Sequence, residues 1–269
     1  MKPWTRLPGM SVSKQGAPHR AESVERGLLA DALGDSPETV ISLHLLEHGL
    51  CDAYVAGDPA SFGGLIIQSH RNPGEPTGFS SDAHTLWEPL RTIRGWWCVN
   101  VSVACASRLG AIIEKETGRA VRYYGDVYHT LTRPVVACHH EVVRLLGLAD
   151  LEMLGSAATE VRGGSWESTE HMLGEGIVAG AVAEGRLVAI AYTSARSRKH
   201  ADVAVNTLQG WRGLGLATAA ASLVAGEVQE QGQMPVWSCG EDNHASLRVA
   251  HKLGFLEVLR RTYVIPQGT

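Results

Sequence analysis

Three groups of residues in this 269-residue chain have types and spacing that could do chemistry. The first is Gly210-Trp211-Arg212-Gly213-Leu214-Gly215, a turn that opens a helix predicted to run to about Gln231. Such a turn leaves backbone N–H groups unpartnered at a helix N-terminus, where the helix dipole adds positive potential, so it can hold a pyrophosphate. The glycines allow an anion to approach the amides. Thr218 stands where a dinucleotide fingerprint needs a third small residue, and no Gly-Lys-Ser/Thr is present, so neither a Rossmann nor a Walker loop fits. The second group is Asp202, at the start of the strand that leads into the loop. A carboxylate there is either a proton acceptor or a solvated strand-end charge; His200, two residues earlier, could titrate near neutrality. The third is Cys138-His139-His140, which lacks a second ligand cluster at zinc-site spacing, so no metal is expected.

The loop needs a strand before it and a helix after it. Asp202 to Thr207 reads as that strand, with Val203 and Val205 on one face and Asp202, Ala204 and Asn206 on the other. A hairpin precedes it, Ile177 to Ala183 and Arg186 to Ser194, turning at Glu184-Gly185. Short helices are expected at Leu151 to Val161 and Glu167 to Gly174. After the long helix come a strand from Met234 to Cys239, a helix capped by Asn243 and stopped by Gly254, and a closing strand from Leu256 to Ile265. The earlier half reads as helices at Glu22 to Leu33 and from Ser36 to Gly49. Strands follow at Cys51 to Ala56 and Gly64 to Ser69, and a helix at Asp82 to Ile93. A strand at Trp96 to Val101, a helix at Ala104 to Thr117, a strand at Arg119 to Tyr128 and a short helix at Glu141 to Leu146 complete it. Three regions are predicted: a loose arm 1–20, an α/β domain 21–148 and a second domain 149–269.

Composition bounds the function. A formal net charge of −4 gives no long-range attraction for nucleic acid or anionic lipid. No apolar run reaches the roughly 20 residues of a membrane span, and the first residues lack the apolar stretch of a secretory signal. The five cysteines, odd in number and mostly in apolar contexts, read as buried thiols. A soluble cytoplasmic protein is expected.

The order of strand, Arg-Gly-x-Gly loop, helix, strand, Asn-capped helix and Lys-Leu-Gly-Phe ending resembles the GNAT superfamily of N-acetyltransferases over roughly Leu151 to Ile265. Within it, the pattern is similar to the zwittermicin A resistance acetyltransferase-like group. The matching residues are Thr207, Arg212 to Ala217, Pro235 to Trp237, Asn243 to Ser246 and Ala250 to Phe255. The resemblance implies an α/β (α+β) GNAT fold with a mixed, mostly antiparallel sheet, preceded by an N-terminal α/β domain.

It also implies acetyl-CoA as co-substrate and a small-molecule amine as acceptor, with no nucleic-acid or membrane partner and a homodimer as one allowed state. Coenzyme contacts are carried over to Val205, Asn206, Thr207, Trp211, Arg212, Gly213, Leu214, Gly215, Leu216, Ala217, Asn243 and Ser246. Asp202 is the expected base, and Glu167 and Glu170 lie on the segment that covers the acceptor. The Tyr that often protonates the departing thiolate is replaced by Ala250, leaving Ser238, Cys239 and Tyr263 as candidates. That departure keeps a second reading open, a non-catalytic acetyl-CoA sensor or scaffold.

Overall fold

The computed structural model describes residues 18–268. Most of the arm expected at 1–20 lies outside them, although His19–Arg20 (β1) pairs with Cys51–Ala56 (β2). Thereafter the chain runs α1 (Arg26–Leu33), α2 (Val40–Glu47), β2, β3 (Gly64–Ser69), β4 (Thr77–Phe79), α3 (Ala83–Leu90), β5 (Val99–Ser102), α4 (Val103–Thr117) and β6 (Val121–Thr130). The same order then repeats: β7 (Val143–Leu146), α5 (Leu151–Ser156), α6 (Thr169–Glu175), β8 (Val178–Ala183), β9 (Arg186–Arg196) and β10 (His200–Thr207). α7 (Leu216–Glu230), β11 (Met234–Gly240), α8 (His244–Leu253) and β12 (Leu256–Pro266) complete the repeat.

All twelve strands form one sheet in the order β1-β2-β3-β4-β5-β12-β6-β11-β10-β9-β8-β7. The order is a palindrome with its two central strands exchanged. β6 closes the first half of the chain, yet it pairs with β11 of the second; β12 closes the second and pairs with β5 of the first. The two exchanged strands pair with each other from Leu256↔Thr130 to Pro266↔Val121. Each half has one parallel pair, β4–β5 and β10–β11, as a strand–helix–strand crossover requires.

Helices cover both faces. Ala220, Val224 and Val228 of α7 meet Ala201, Val203 and Trp237 on one side, with Leu253 of α8 and Phe255 behind them. On the other side, α2 crosses onto the second half, and Val40 packs with Tyr128, Ala195 and Val236. Asp35, between α1 and α2, fixes that crossing. Its carboxylate accepts from Ser197 Oγ (2.8 Å) and the Lys199 N–H (2.8 Å), and lies 2.6 Å from His200 Nδ1.

Two local expectations are corrected. The segment expected as a helix at Glu141 to Leu146 is instead β7, because pairing from Val143↔Ala181 to Leu146↔Val178 satisfies its backbone, and tertiary pairing overrides a weak local preference. β4, three residues long, has no counterpart in the sequence reading; Thr77-Gly78-Phe79 carries too short a pattern to announce a strand.

Candidate active site

The β10–β11 pair begins at His200↔Met234 and ends at Asp202↔Val236. Beyond that point the two strands are no longer paired, and a groove of about 520 Å³ lies between the continuing β10 and α8. One wall is Val205, Asn206 and Thr207. The end is the loop and first turn of α7, with Trp211, Arg212, Gly213, Gly215, Leu216 and Ala217 lining it. Gly213 and Gly215 both have φ of +82°, a conformation that a side chain disfavours, and an added Cβ at either would meet no atom within 4 Å. No side chain caps α7, and the first amide to close onto it is Ala219 N–H, on Gly215 O at 3.0 Å. The amides of Leu216 to Thr218 are therefore open to the groove.

The opposite wall comes from α8. Asn243 caps that helix by accepting from the Ser246 N–H (3.2 Å) and also lines the groove, so the same residue is placed for both roles considered for it. Ser246 Oγ accepts from Trp237 Nε1 at 2.9 Å. Arg248 and Lys252 line the groove as well and were not among the sequence candidates. Their spacing of four on a capped helix is the signal that could have found them. Leu214 is exposed and does not line the groove. Ala250 is fully buried in the core beneath α8 and faces no cavity.

Asp202 is not a solvated charge. It is 5% exposed, and burial pushes its carboxyl up to about 6 despite two hydroxyl donors. Ser194 Oγ donates to Oδ2, and Ser238 Oγ donates to Oδ1 at 3.1 Å. The first bond depends on a bulge. Asp202 pairs with Ala195 and Val203 with Thr193, so Ser194 is the extra residue and its hydroxyl turns onto the carboxylate.

Both serines line a second cavity, of about 600 Å³, on the α2 side of the sheet. Its walls come from both halves of the chain, including Glu38 and His44 near and within α2, Asn100 on β5, Tyr124, Asp126 and Tyr128 on β6, and Tyr263 on β12. Glu167 and Glu170 are exposed and do not line it. Glu167 is instead 3.0 Å from His171 Nδ1, while its neighbour Ser165 reaches the cavity wall. Cys239 and Tyr263 line the cavity, with both side chains raised by burial, Tyr263 out of any titratable range near neutrality.

A sheet split at one parallel pair, with an open glycine turn and helix N-terminus at the split, is the arrangement of the GNAT fold. Residues 153–265 match the family model described as GNAT acetyltransferase. An uncharacterized N-acetyltransferase of Bacillus subtilis, YdfB, is 34% identical over 98 residues, which span 36% of this chain and only 37% of that relative. Among solved structures, a GCN5-related N-acetyltransferase-like protein from Streptococcus suis superposes with a TM-score of 0.64 at 21% identity. That match covers 91% of this chain and 99% of that one. A tandem GNAT protein from the clavulanic acid biosynthesis pathway gives a TM-score of 0.55 at 14% identity over 94% and 98% of the two chains. These two likenesses extend over both halves, and they are likenesses of fold. Among the described residues no helix is long and apolar enough to cross a membrane.

Proposed function

We propose that the protein is an acetyl-CoA-dependent N-acetyltransferase of a small-molecule amine. The observation that carries this is the split after Asp202↔Val236: the buried Asp202–Ser238 pair lies at it, and the groove at α7 lies along β10 just beyond it. The groove suits coenzyme A. Its open amides and left-handed glycines accept a pyrophosphate, Arg248 and Lys252 add positive charge, and the unpaired edge of β10 at Val205 to Thr207 offers main-chain groups to an amide-bearing arm. Asn243 and Ser246 stand on the other wall. The pattern at Thr207, Arg212 to Ala217 and Ala250 to Phe255 supports the zwittermicin A resistance acetyltransferase-like group within the family.

Bound in the groove, acetyl-CoA supplies a thioester carbonyl open to attack by an amine. The chain's own residues bring the amine to it and remove its proton. The 600 Å³ cavity holds the acceptor on the far side of the split, where Ser238 faces it. Ser238 passes a proton to Asp202 Oδ1 while its oxygen accepts one from the amine, so a buried carboxylate acts without direct contact. A carboxyl near 6 is ionised at neutral pH and still basic enough for the task. Ala250 puts no proton donor at the position where the superfamily often has a Tyr, and a thiolate is a good enough leaving group to depart unprotonated.

The second reading, a sensor without turnover, is favoured by Ala250 alone. A screen of amines with release of free thiol as the readout decides between them. The transferase reading expects turnover with at least one amine. A rise in melting temperature with acetyl-CoA but no thiol from any amine class would leave the sensor; no rise at millimolar acetyl-CoA would sink both.

A further inference from the structure

The cavity holds a buried carboxylate that makes no ion pair among the described residues. Asp126 lies on β6 opposite Gly240 of β11, one side-chain row outward from the Tyr128↔Ser238 pair, or about 7 Å along the strand. It is 6% exposed and lines the cavity. Its Oδ2 accepts from Asn100 Nδ2 at 3.0 Å. Arg261, across the β6–β12 register, points its guanidinium elsewhere: to Asn100 Oδ1 (2.6 Å), Glu38 Oε2 (2.7 Å) and Gly78 O (2.7 Å). Among the described residues Asp126 forms no ion pair. Buried carboxylates are ordinarily paired, because an isolated charge in a poorly solvated site is costly.

A second observation comes from the α2 wall. His44 is fully buried, lines the same cavity, and neither of its ring nitrogens has a hydrogen-bond partner among the described residues. Its ring is held edge-on to Trp166 at 4.6 Å, and burial pulls it down to about 4, so it is a neutral donor and acceptor rather than a competing cation. The cavity's arginines, Arg71 and Arg122, are exposed.

We propose that Asp126 is the ion-pair partner of the acceptor's ammonium group, with His44 as a neutral polar contact, so that the acceptor class is aliphatic ammonium compounds. The exchange of β6 then has a functional result: the first half of the chain supplies the residue that selects the substrate of the second. This rests on reading the cavity as the acceptor site.

The test is direct binding of butylammonium chloride and of butan-1-ol to the full chain without acetyl-CoA, followed by ligand-observed NMR. Wild-type protein should bind butylammonium saturably and the alcohol much more weakly. Asp126→Asn should weaken butylammonium about tenfold or more, and Asp126→Glu, which keeps the charge, should retain most of it. Equal butylammonium binding by wild type and Asp126→Asn, equal binding of amine and alcohol, or no saturable binding to wild type would each overturn the proposal. If Asp126→Asn does not fold, Asp126→Ser takes its place in the same comparison. The acetyl-CoA melting shift, measured in parallel, fails if the coenzyme reading is wrong and is indifferent to Asp126.

Discussion

Ser238 donates to Asp202 Oδ1 across 3.1 Å, from the strand that leaves the split to the strand that enters it. The bond lies at the last point at which β10 and β11 are joined, and with Ser194 it places two hydroxyls between a buried carboxylate and the 600 Å³ cavity. Asp202→Asn removes the proton acceptor while keeping its shape. Turnover should fall by about 10²–10⁴-fold, with the acetyl-CoA melting shift unchanged. In wild type, turnover should decline as pH drops through about 6, where Asp202 takes up its proton. A rate that is flat between pH 5 and 8 would remove Asp202 from the reaction.

The same group makes an opposite prediction for stability. Its folded-state value lies above its ordinary one, so the folded protein holds a proton that the unfolded chain has lost between about 4 and 6. Stability from this site is therefore fully present at low pH and is lost as pH rises through about 6. Asp202→Asn should then be more stable than wild type at pH 7.5, by about 1–3 kcal/mol, with the difference vanishing near pH 4. Denaturant titrations at the two pH values measure it.

Gly215 has left-handed backbone and open space around it, so Gly215→Ala tests conformation without a clash. The strain of about 1–2 kcal/mol should appear mainly as a loss of coenzyme affinity of about 5–30-fold, because this residue aims the first amides of α7. Isothermal titration with acetyl-CoA gives the answer, and undiminished affinity would remove these amides from the site.

One acetyl-CoA should bind per chain, although the chain repeats its elements. In the first half the turn between β4 and its helix is short, and Asp82 caps α3 by accepting from the N–H groups of Thr85 (3.0 Å) and His84 (3.4 Å). A carboxylate thus occupies the place where the second half leaves amides open, and it would repel a pyrophosphate. A calorimetric stoichiometry of two would contradict this.

Ala250→Tyr, which would place a tyrosine at the position common in the superfamily, should not supply an acid. Ala250 is fully buried among Trp237, Leu253 and Phe255, so a phenol there overpacks the core and costs about 1–3 kcal/mol. Thermal denaturation should show the loss, and turnover should not rise.

The groove was legible in the sequence because its parts are local. Gly213, Gly215, the helix that follows and the Asn243 cap are read from residue type and short spacing, and each occupies one stretch of chain. Most long elements were legible for the same reason, since Leu216 to Glu230 and Val103 to Thr117 carry their own periodicity. β7 was not, because its four residues become a strand only by pairing with β8. The 600 Å³ cavity was least legible. Glu167 and Glu170 lie on the segment that the resemblance assigns to covering the acceptor, yet they are exposed and do not line the cavity, whereas Asp126, Asn100 and His44 come from the half that showed no motif. What the sequence by itself determined is the glycine turn that opens α7 and the strand that feeds it. Only the tertiary structure decided that β6 inserts beside β11, since strand exchange satisfies long-range backbone hydrogen bonds and leaves no mark on local pattern. It also decided the state of Asp202: the bulge at Ser194 and the burial around it turn a strand-end acid into a carboxyl near 6.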